Sequence, residues 1–364
     1  MEKNTLQNEM FSQIRSRDLF EQAKSFAYTY MDGVIDRNVF PAEEAIKNLA
    51  VYDESLPVKS GNPEVILRLL HEYGSPATTA QTGGRYFGFV NGGAVPVALA
   101  AKWLADVWDQ NAALYVISPV VSQLETVCEN WMVDLLCLPK GTAAGFVGGT
   151  STATLTGLAA GRNELLKRMG WDVNLDGLFG SPSLRVIVGE QAHATVFKAL
   201  SLLGLGRARV EIVPADNQGR MRPDKLPGLD STCLVIAQAG NVNSGAFDPL
   251  EEICDRARQA KAWVHVDGAF GLWAAASRTK SHLIKGFEKA DSWSVDAHKT
   301  LNAPYDCGMI LCRDREALIS AMQASASYII YSDKRDGMHY APEMSRRARV
   351  VELWATLKFL GREG

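Results

Sequence analysis

The sequence predicts an α/β chain, a mostly parallel sheet flanked by helices and preceded by a helical N-terminal arm. From Gly141 onward, short apolar runs of strand length alternate with longer runs of helical period. Helices placed between buried strands act as crossovers, and crossovers impose a parallel sheet covered on both faces. Residues with chemistry follow these strand candidates: Gly148 to Ser151, His193, Asn241, Asp267 and His298-Lys299. In such sheets function gathers on the loops at the carboxyl ends of the strands.

A chain of 364 residues, 47% of them hydrophobic, can bury a large core with smaller appendages. With 38 basic and 41 acidic residues the net charge is -3, which offers no field for a polyanion and argues against nucleic acid as a partner. The six cysteines, at 128, 137, 233, 254, 307 and 312, form no CxxC pair and read as reduced core or near-core thiols. The N-terminus lacks an apolar h-region and no run approaches a membrane span, so a soluble cytoplasmic protein is expected. His265 and Asp267 share a strand face without a further ligand at recognisable spacing, so no metal is expected.

Leu19, Ala23, Phe26 and Tyr30 recur at helical spacing, and Ala42, Ile46 and Leu49 share a second face after Pro41. Gly61 to Gly74 reads as a helix with Val65, Leu69 and Leu70 inward. In Arg85 to Gly93 aromatics combine with glycines, which lets the backbone approach something bulky; an aromatic-rich core turn fits the stretch as well. Ala94 to Asp106 and Val120 to Leu136 are apolar-periodic helices, the second with a Leu124, Val127, Trp131, Leu135 stripe assigned to the core.

Gly145 to Gly149 leads into a helix opening with Thr150, Ser151 and Thr152. That start is suited to a phosphate, although ordinary capping by Thr150 or Ser151 explains the composition equally. Strands are expected over Leu184 to Val188, Ala208 to Val213, Cys233 to Ala237 and Trp263 to Val266, with helices up to Leu203 and over Pro249 to Ala260. In Asp291 to Arg313, Lys299 lies between an alternating run and an apolar strand. Held among apolar strands, its amine would be desolvated and become a nucleophile toward an aldehyde; a rim lysine reaching water fits the segment as well. Asp314 to Tyr328 reads as a helix, Tyr328 to Ser345 as a mobile loop or a linker, and Ser345 to Gly364 as a serine-capped helix with a Val351, Trp354, Leu357 face.

The strand-end residues form a coherent chemical set. An aldehyde cofactor needs a lysine, an acid beside a pyridine nitrogen, a flat group against the ring and donors for a phosphate; Lys299, Asp267, His193 and Thr150-Ser151 supply these four. The blocks GRYFGFVNGG, GGTSTATLTGLAAGR, GEQAHATVFKALSLLG, VHVDGAFG, DSWSVDAHKTLNAPYDCG and SRRARVVELWATLKFLGR then stand in one order. In these blocks the chain resembles the pyridoxal-phosphate-dependent group II amino acid decarboxylases, from about Arg85 to Gly364.

The resemblance implies the aspartate aminotransferase-like fold of PLP-dependent transferases (fold type I) with pyridoxal 5'-phosphate as cofactor. It implies that Lys299 forms the Schiff base, Asp267 pairs with the pyridine nitrogen, His193 stacks on the ring and Ala269 packs on the other face. Thr150, Ser151 and His298 would contact the phosphate, with Asn241 near the cofactor. It further implies decarboxylation of an L-amino acid to the amine and CO2, and a homodimer sharing its active sites. Tyr328, with Tyr331 as a rival, would protonate the product carbon from a loop of the neighbouring subunit. The arm is placed at residues 1–84, the cofactor domain at 85–345, and the start of a C-terminal region at 346–364, where the family continues into a further small domain.

Two departures leave the choice between acidic and aromatic substrates open: Gly240 to Gly245 replaces a GTT-like pattern, and arginine replaces a frequent His-Pro before the Tyr86 block. Another reaction of the same cofactor (transamination, a lyase reaction or aldehyde-forming oxidation) and a non-catalytic cofactor-binding subunit are the alternatives.

Overall fold

The computed structural model describes residues 5–323 and 333–364. They divide into two compact units, Met1–Phe89 and Val90–Gly364. The first unit is helical: α1 (Leu6–Ser16), α2 (Asp18–Val34), α3 (Glu43–Lys47) and α4 (Pro63–Leu69). Asn62 caps α4 by accepting from Val65 N at 3.1 Å, and Pro63 fills its first turn. Val65 and Leu70 do not point inward but are 46% and 53% exposed. The chain passes at Leu70 into a π-helical turn, whose extra residue rotates the apolar face away from its straight-helix position.

The second unit is built on a seven-stranded sheet. Its strands are β1 (Ala143–Val147), β2 (Arg185–Gly189), β3 (Glu211–Val213), β4 (Cys233–Gln238), β5 (Trp263–Asp267), β6 (Ser292–Asp296) and β7 (Gly308–Cys312). Their order is β1-β7-β6-β5-β4-β2-β3, with β7 antiparallel to both neighbours and the other pairs parallel. Since β1 and β6 both oppose β7, all strands except β7 point one way. Their carboxyl ends therefore lie on one edge. β1, β5, β6 and β7 are buried along their full length, as strands covered on both faces must be. The edge strand β3 keeps only Glu211 to Val213 of the expected run, because Arg207 to Arg209 form a 3-10 turn.

The helices are α5 (Pro96–Trp108), α6 (Pro119–Leu135), α7 (Thr150–Arg168), α8 (Val173–Asp176), α9 (Ala194–Leu202), α10 (Leu250–Gln259), α11 (Arg315–Met322) and α12 (Val350–Leu360). Two apolar clusters form the core. One, containing Phe146, Val264 and Trp293, takes in residues of α6, α10 and α12; the other, containing Val147, Val188 and Trp263, takes in residues of α7, α9 and α11.

The buried face of α6 differs from the expected stripe. Leu124, Val127, Trp131 and Leu135 are half-buried, while Val121, Glu125, Cys128, Glu129 and Met132 face inward. Two buried carboxylates are tolerated there because arginines meet them: Arg335 Nε lies 2.9 Å from Glu125, Arg335 Nη1 2.8 Å from Glu129 and Arg346 Nη1 2.7 Å from Glu125. Arg335 also lies 3.9 Å over the Tyr340 ring. The expected mobile loop or linker of Tyr328 to Ser345 is therefore no loose segment from Arg335 on, since Asp336, Gly337, Met338, Tyr340 and Ala341 are buried too.

Ser345 does not cap the last helix. The segment before Val350 runs extended, pairing Arg347 with Asn111 and Arg346 O with Ala112 N, and the Ser345 hydroxyl faces Asn111 Nδ2 at 3.2 Å. All six cysteines are free, and five are buried. Cys137 is exposed, on a turn of positive φ after α6.

Candidate functional site

The carboxyl edge of the sheet gathers most of the residues singled out in the sequence. Gly148 to Ser151 follow β1, His193 follows β2, Asn241 follows β4, Asp267 ends β5, and His298 and Lys299 follow β6. Tyr328 and Tyr331 lie outside the described residues.

Asp267 is 5% exposed, and its Oδ1 accepts from Ala269 N at 3.2 Å. Burial pushes its carboxyl above the usual range, against the lowering by that N–H and by the nearby charges of His193 and Lys299. A cation placed beside it would offset this cost. A narrow cleft runs past Asp267, lined also by His193, Ala192, Gln238 and Met221.

His193 stands at the N-cap of α9. Its Nδ1 lies 2.7 Å from Thr195 Oγ1 and accepts from Thr195 N at 3.3 Å, so one edge of the ring is pinned to the helix. Asn241 is 3% exposed; its Oδ1 accepts from Asn243 N and Ser244 N at 2.9 and 3.2 Å, and its Nδ2 donates to Gln191 Oε1 at 3.1 Å. Its side chain is therefore committed to shaping the Gly240 to Gly245 loop.

Lys299 does not sit among apolar strands. The group against its amine is Asp296, whose Oδ2 lies 3.1 Å from Nζ. Asp296, at the end of β6, also accepts from Thr150 N at 2.7 Å and from Thr150 Oγ1 at 2.9 Å. Neither Thr150 nor Ser151 caps α7. Gly149 holds the N-cap position, and the threonine hydroxyl is given to Asp296. This contact spans the intervening strand β7 because residue 308 is glycine. A Cβ there would lie 2.8 Å from Asp296 Oδ1 and 2.5 Å from Gly149 Cα.

His298 is 7% exposed, and its Nδ1 accepts from Cys307 N at 3.1 Å. The ring proton therefore belongs on Nε2, 3.5 Å from Asp296 Oδ2. Burial lowers its pKa, with Lys299 acting in the same sense and Asp296 and Asp306 against it. Tyr305 stacks on the imidazole at 4.3 Å between centroids and donates its hydroxyl to Asn91 Oδ1 at 2.8 Å.

The lysine turn is held from the other side by the start of the second unit. Gly92 N donates to His298 O at 3.2 Å, Gly93 N to Asn302 Oδ1 at 2.8 Å and Val95 N to Asn302 O at 2.8 Å. The bulky partner expected of these glycines is the backbone of the lysine turn itself. Arg85, Phe87 and Phe89 belong to the first unit, where Arg85 Nη2 donates to the carbonyls of Ile35 and Arg37 at 2.9 and 2.6 Å.

Asp296, Tyr305, Asn302 and Gln191 escaped the sequence reading. Asp296 alone carried a signal: like Asp267 it is an acid closing a buried strand, where an unpaired carboxylate is costly. Among the described residues no cluster of three or more metal-ligating side chains exists, and no helix is long and apolar enough to cross a membrane.

The residues present fit a phosphate-bearing pyridine aldehyde. They offer a lysine amine, a buried carboxyl for a ring nitrogen, an imidazole beside the cleft, and a glycine turn that opens a helix with Thr150, held by Asp296, and Ser151.

Residues 50–364 match the pyridoxal-dependent decarboxylase conserved domain. The chain is 27% identical to an aromatic-L-amino-acid decarboxylase of Bacillus atrophaeus, covering 94% of this chain and 73% of that protein. It is 30% identical to an acidic amino acid decarboxylase of Homo sapiens, covering 77% of this chain and 56% of that protein. Among solved structures, Oryza sativa TDC with PLP and tryptamine superposes with a TM-score of 0.86 at 26% identity, covering 96% of this chain and 75% of that one. Mouse CSAD superposes with a TM-score of 0.85 at 24% identity over the same shares, a likeness of fold.

Proposed function

This chain belongs to the pyridoxal-dependent decarboxylase family, and from that premise we propose that it decarboxylates an L-amino acid to the amine and CO2 with pyridoxal 5'-phosphate held on Lys299. The observation that carries this reading is the convergence of a buried carboxyl, Asp267, and an ion-paired lysine, Lys299, at the ends of neighbouring parallel strands.

When bound, the cofactor supplies an aldehyde for the amino group and an electron-withdrawing ring for the electron pair left when CO2 departs. Asp267 keeps a proton on the ring nitrogen, and its burial strengthens that interaction. His193 would stack on the ring, and Ala269 would pack on its other face. Thr150, Ser151 and the Nε2–H of His298 would hold the phosphate, and Asn241 would fix the loop near the cofactor. Tyr328, with Tyr331 as the nearby candidate, gives a proton to the product carbon.

The substrates are L-amino acids of the aromatic or acidic kinds named for the relatives. A cytoplasmic location and a homodimer belong to this reading; the apolar residues left uncovered on α5, where Leu104 and Val107 are 55% and 78% exposed, support the homodimer.

The test is borohydride reduction of the purified chain with pyridoxal 5'-phosphate, peptide mapping of the adduct, and assay of CO2 and amine from aromatic and acidic L-amino acids. Label on Lys299 with equal amounts of amine and CO2 supports the reading. Keto acid or aldehyde as the main product overturns it in favour of another reaction of the same cofactor.

A further inference from the structure

One carboxylate oxygen, Asp296 Oδ2, meets both the Thr150 hydroxyl at 2.9 Å and Lys299 Nζ at 3.1 Å. The other, Oδ1, accepts from Thr150 N at 2.7 Å. Thr150 opens the helix start read above as the phosphate seat, and Lys299 carries the amine that meets the aldehyde. We propose that Asp296 is a positioning residue that fixes the separation of these two anchors, so that the phosphate and the aldehyde of one molecule reach both at once. The proposal rests on the reading of Lys299 as the cofactor lysine.

The carboxylate can act as a spacer because it is itself immobile. Asp296 is 1% exposed, and its main chain is held from two sides: its N donates to Ala269 O at 2.9 Å and its O accepts from Trp273 Nε1 at 2.9 Å. The turn carrying Lys299 is closed on the same frame. Ala297 N and His298 N donate to Cys307 O at 3.0 and 3.2 Å, and Ala303 N donates to Ala297 O at 3.1 Å. At the other anchor both the N–H and the hydroxyl of Thr150 end on this one side chain, which orients the first turn of α7 as well as placing it.

A ligand with two recognition groups gains from the second only when the two sites stand at its own span, and the gain shrinks as their separation is allowed to vary. That gain belongs to the phosphorylated aldehyde alone, since pyridoxal has nothing for the helix start. An asparagine at 296 cannot keep all the ties. With its oxygen toward Thr150 N, its amide N–H groups face the lysine amine; with its oxygen toward the lysine, they face Thr150 N–H. Either way one anchor is released from the other.

The test compares two aldehydes on the cofactor-free protein. Half-saturation of borohydride-trapped label on Lys299, read by peptide mass, is measured for pyridoxal 5'-phosphate and for pyridoxal, and the ratio of the two values is the advantage conferred by the phosphate. A change in the reactivity of the lysine itself acts on both aldehydes alike and cancels in the ratio. Asp296→Asn should lower the ratio about tenfold or more. A folded Asn variant that binds both aldehydes more weakly by the same factor, or neither, overturns the proposal, because a merely structural role leaves the ratio unchanged. A second measurement needs no variant: a homologue of pyridoxal 5'-phosphate with one more methylene between ring and phosphate should be captured by wild type about tenfold less well, since fixed anchors do not follow it. Equal capture of the homologue overturns the spacer whether or not the Asn variant folds. Wild type that takes no label on Lys299 from pyridoxal 5'-phosphate sinks the functional reading itself, whereas label with an unchanged ratio in the variant sinks the spacer alone.

Discussion

Gly92 lies against the backbone of Lys299 so closely that a Cβ at residue 92 would sit 2.1 Å from the lysine's carbonyl oxygen and 2.6 Å from that of His298. Neither atom is the end of a flexible side chain, so the turn itself must shift to admit one. Gly92→Ala should destabilise the chain by about 1–3 kcal/mol in urea denaturation. It should also weaken capture of pyridoxal 5'-phosphate. Wild-type behaviour in both measurements would show that the turn has slack.

Asp267→Asn keeps the shape of the strand end and the acceptor for Ala269 N, but it cannot hold a proton on a ring nitrogen by charge. Decarboxylation should fall by on the order of 10²–10³. Borohydride labelling of Lys299 should persist, which separates loss of the electron sink from loss of the pocket.

His265 is fully buried between Ser292 Oγ at 2.8 Å and Ser294 Oγ at 3.4 Å, and burial lowers its pKa to about 3 from 6.5. Between those values the unfolded chain binds the proton and the folded one does not, so this share of stability is lost as pH falls below 6.5. At pH 4.5 the loss amounts to about 2–3 kcal/mol. Asp248, raised to about 6 by burial although it accepts from Met221 N and Gln238 N, works in the opposite direction over the same range. Urea titrations of wild type and His265→Gln from pH 7 to 4.5 should therefore diverge, the variant losing less on acidification. Parallel curves would mean that the buried imidazole takes up no proton on unfolding.

Glu125→Gln leaves Arg335 and Arg346 buried with half their counter-charge. Removing one member of a buried ion pair costs about 3–5 kcal/mol. Denaturation midpoints should show this loss, and the conservative Glu125→Asp should recover part of it.

The sheet was legible because its strands are apolar throughout and its crossovers are amphipathic, a pattern that depends on period alone. β5, β6 and β7 fall where their residues suggested. The α6 stripe was legible in part: Leu124, Trp131 and Leu135 pack against the core, but periodicity could not show the more deeply buried face beside it, where Glu125 meets Arg335 more than two hundred residues away. Lys299 was located correctly at a strand end, yet its surroundings were not. The neighbour that matters, Asp296, lies three positions earlier, and its tie to Thr150 exists only once β1 and β6 flank β7.

That placement of β7 bears on how the two halves of the site are joined. The strand that separates the two halves of the site is the last of the seven to be synthesised, and Gly308 at its start is the window through which Asp296 reaches Thr150. Among the described residues β1 pairs in the sheet with β7 alone. In the folded sheet that one short strand joins the edge carrying the threonine turn to the core carrying the lysine, so a change at Gly308 acts on both halves of the site at once.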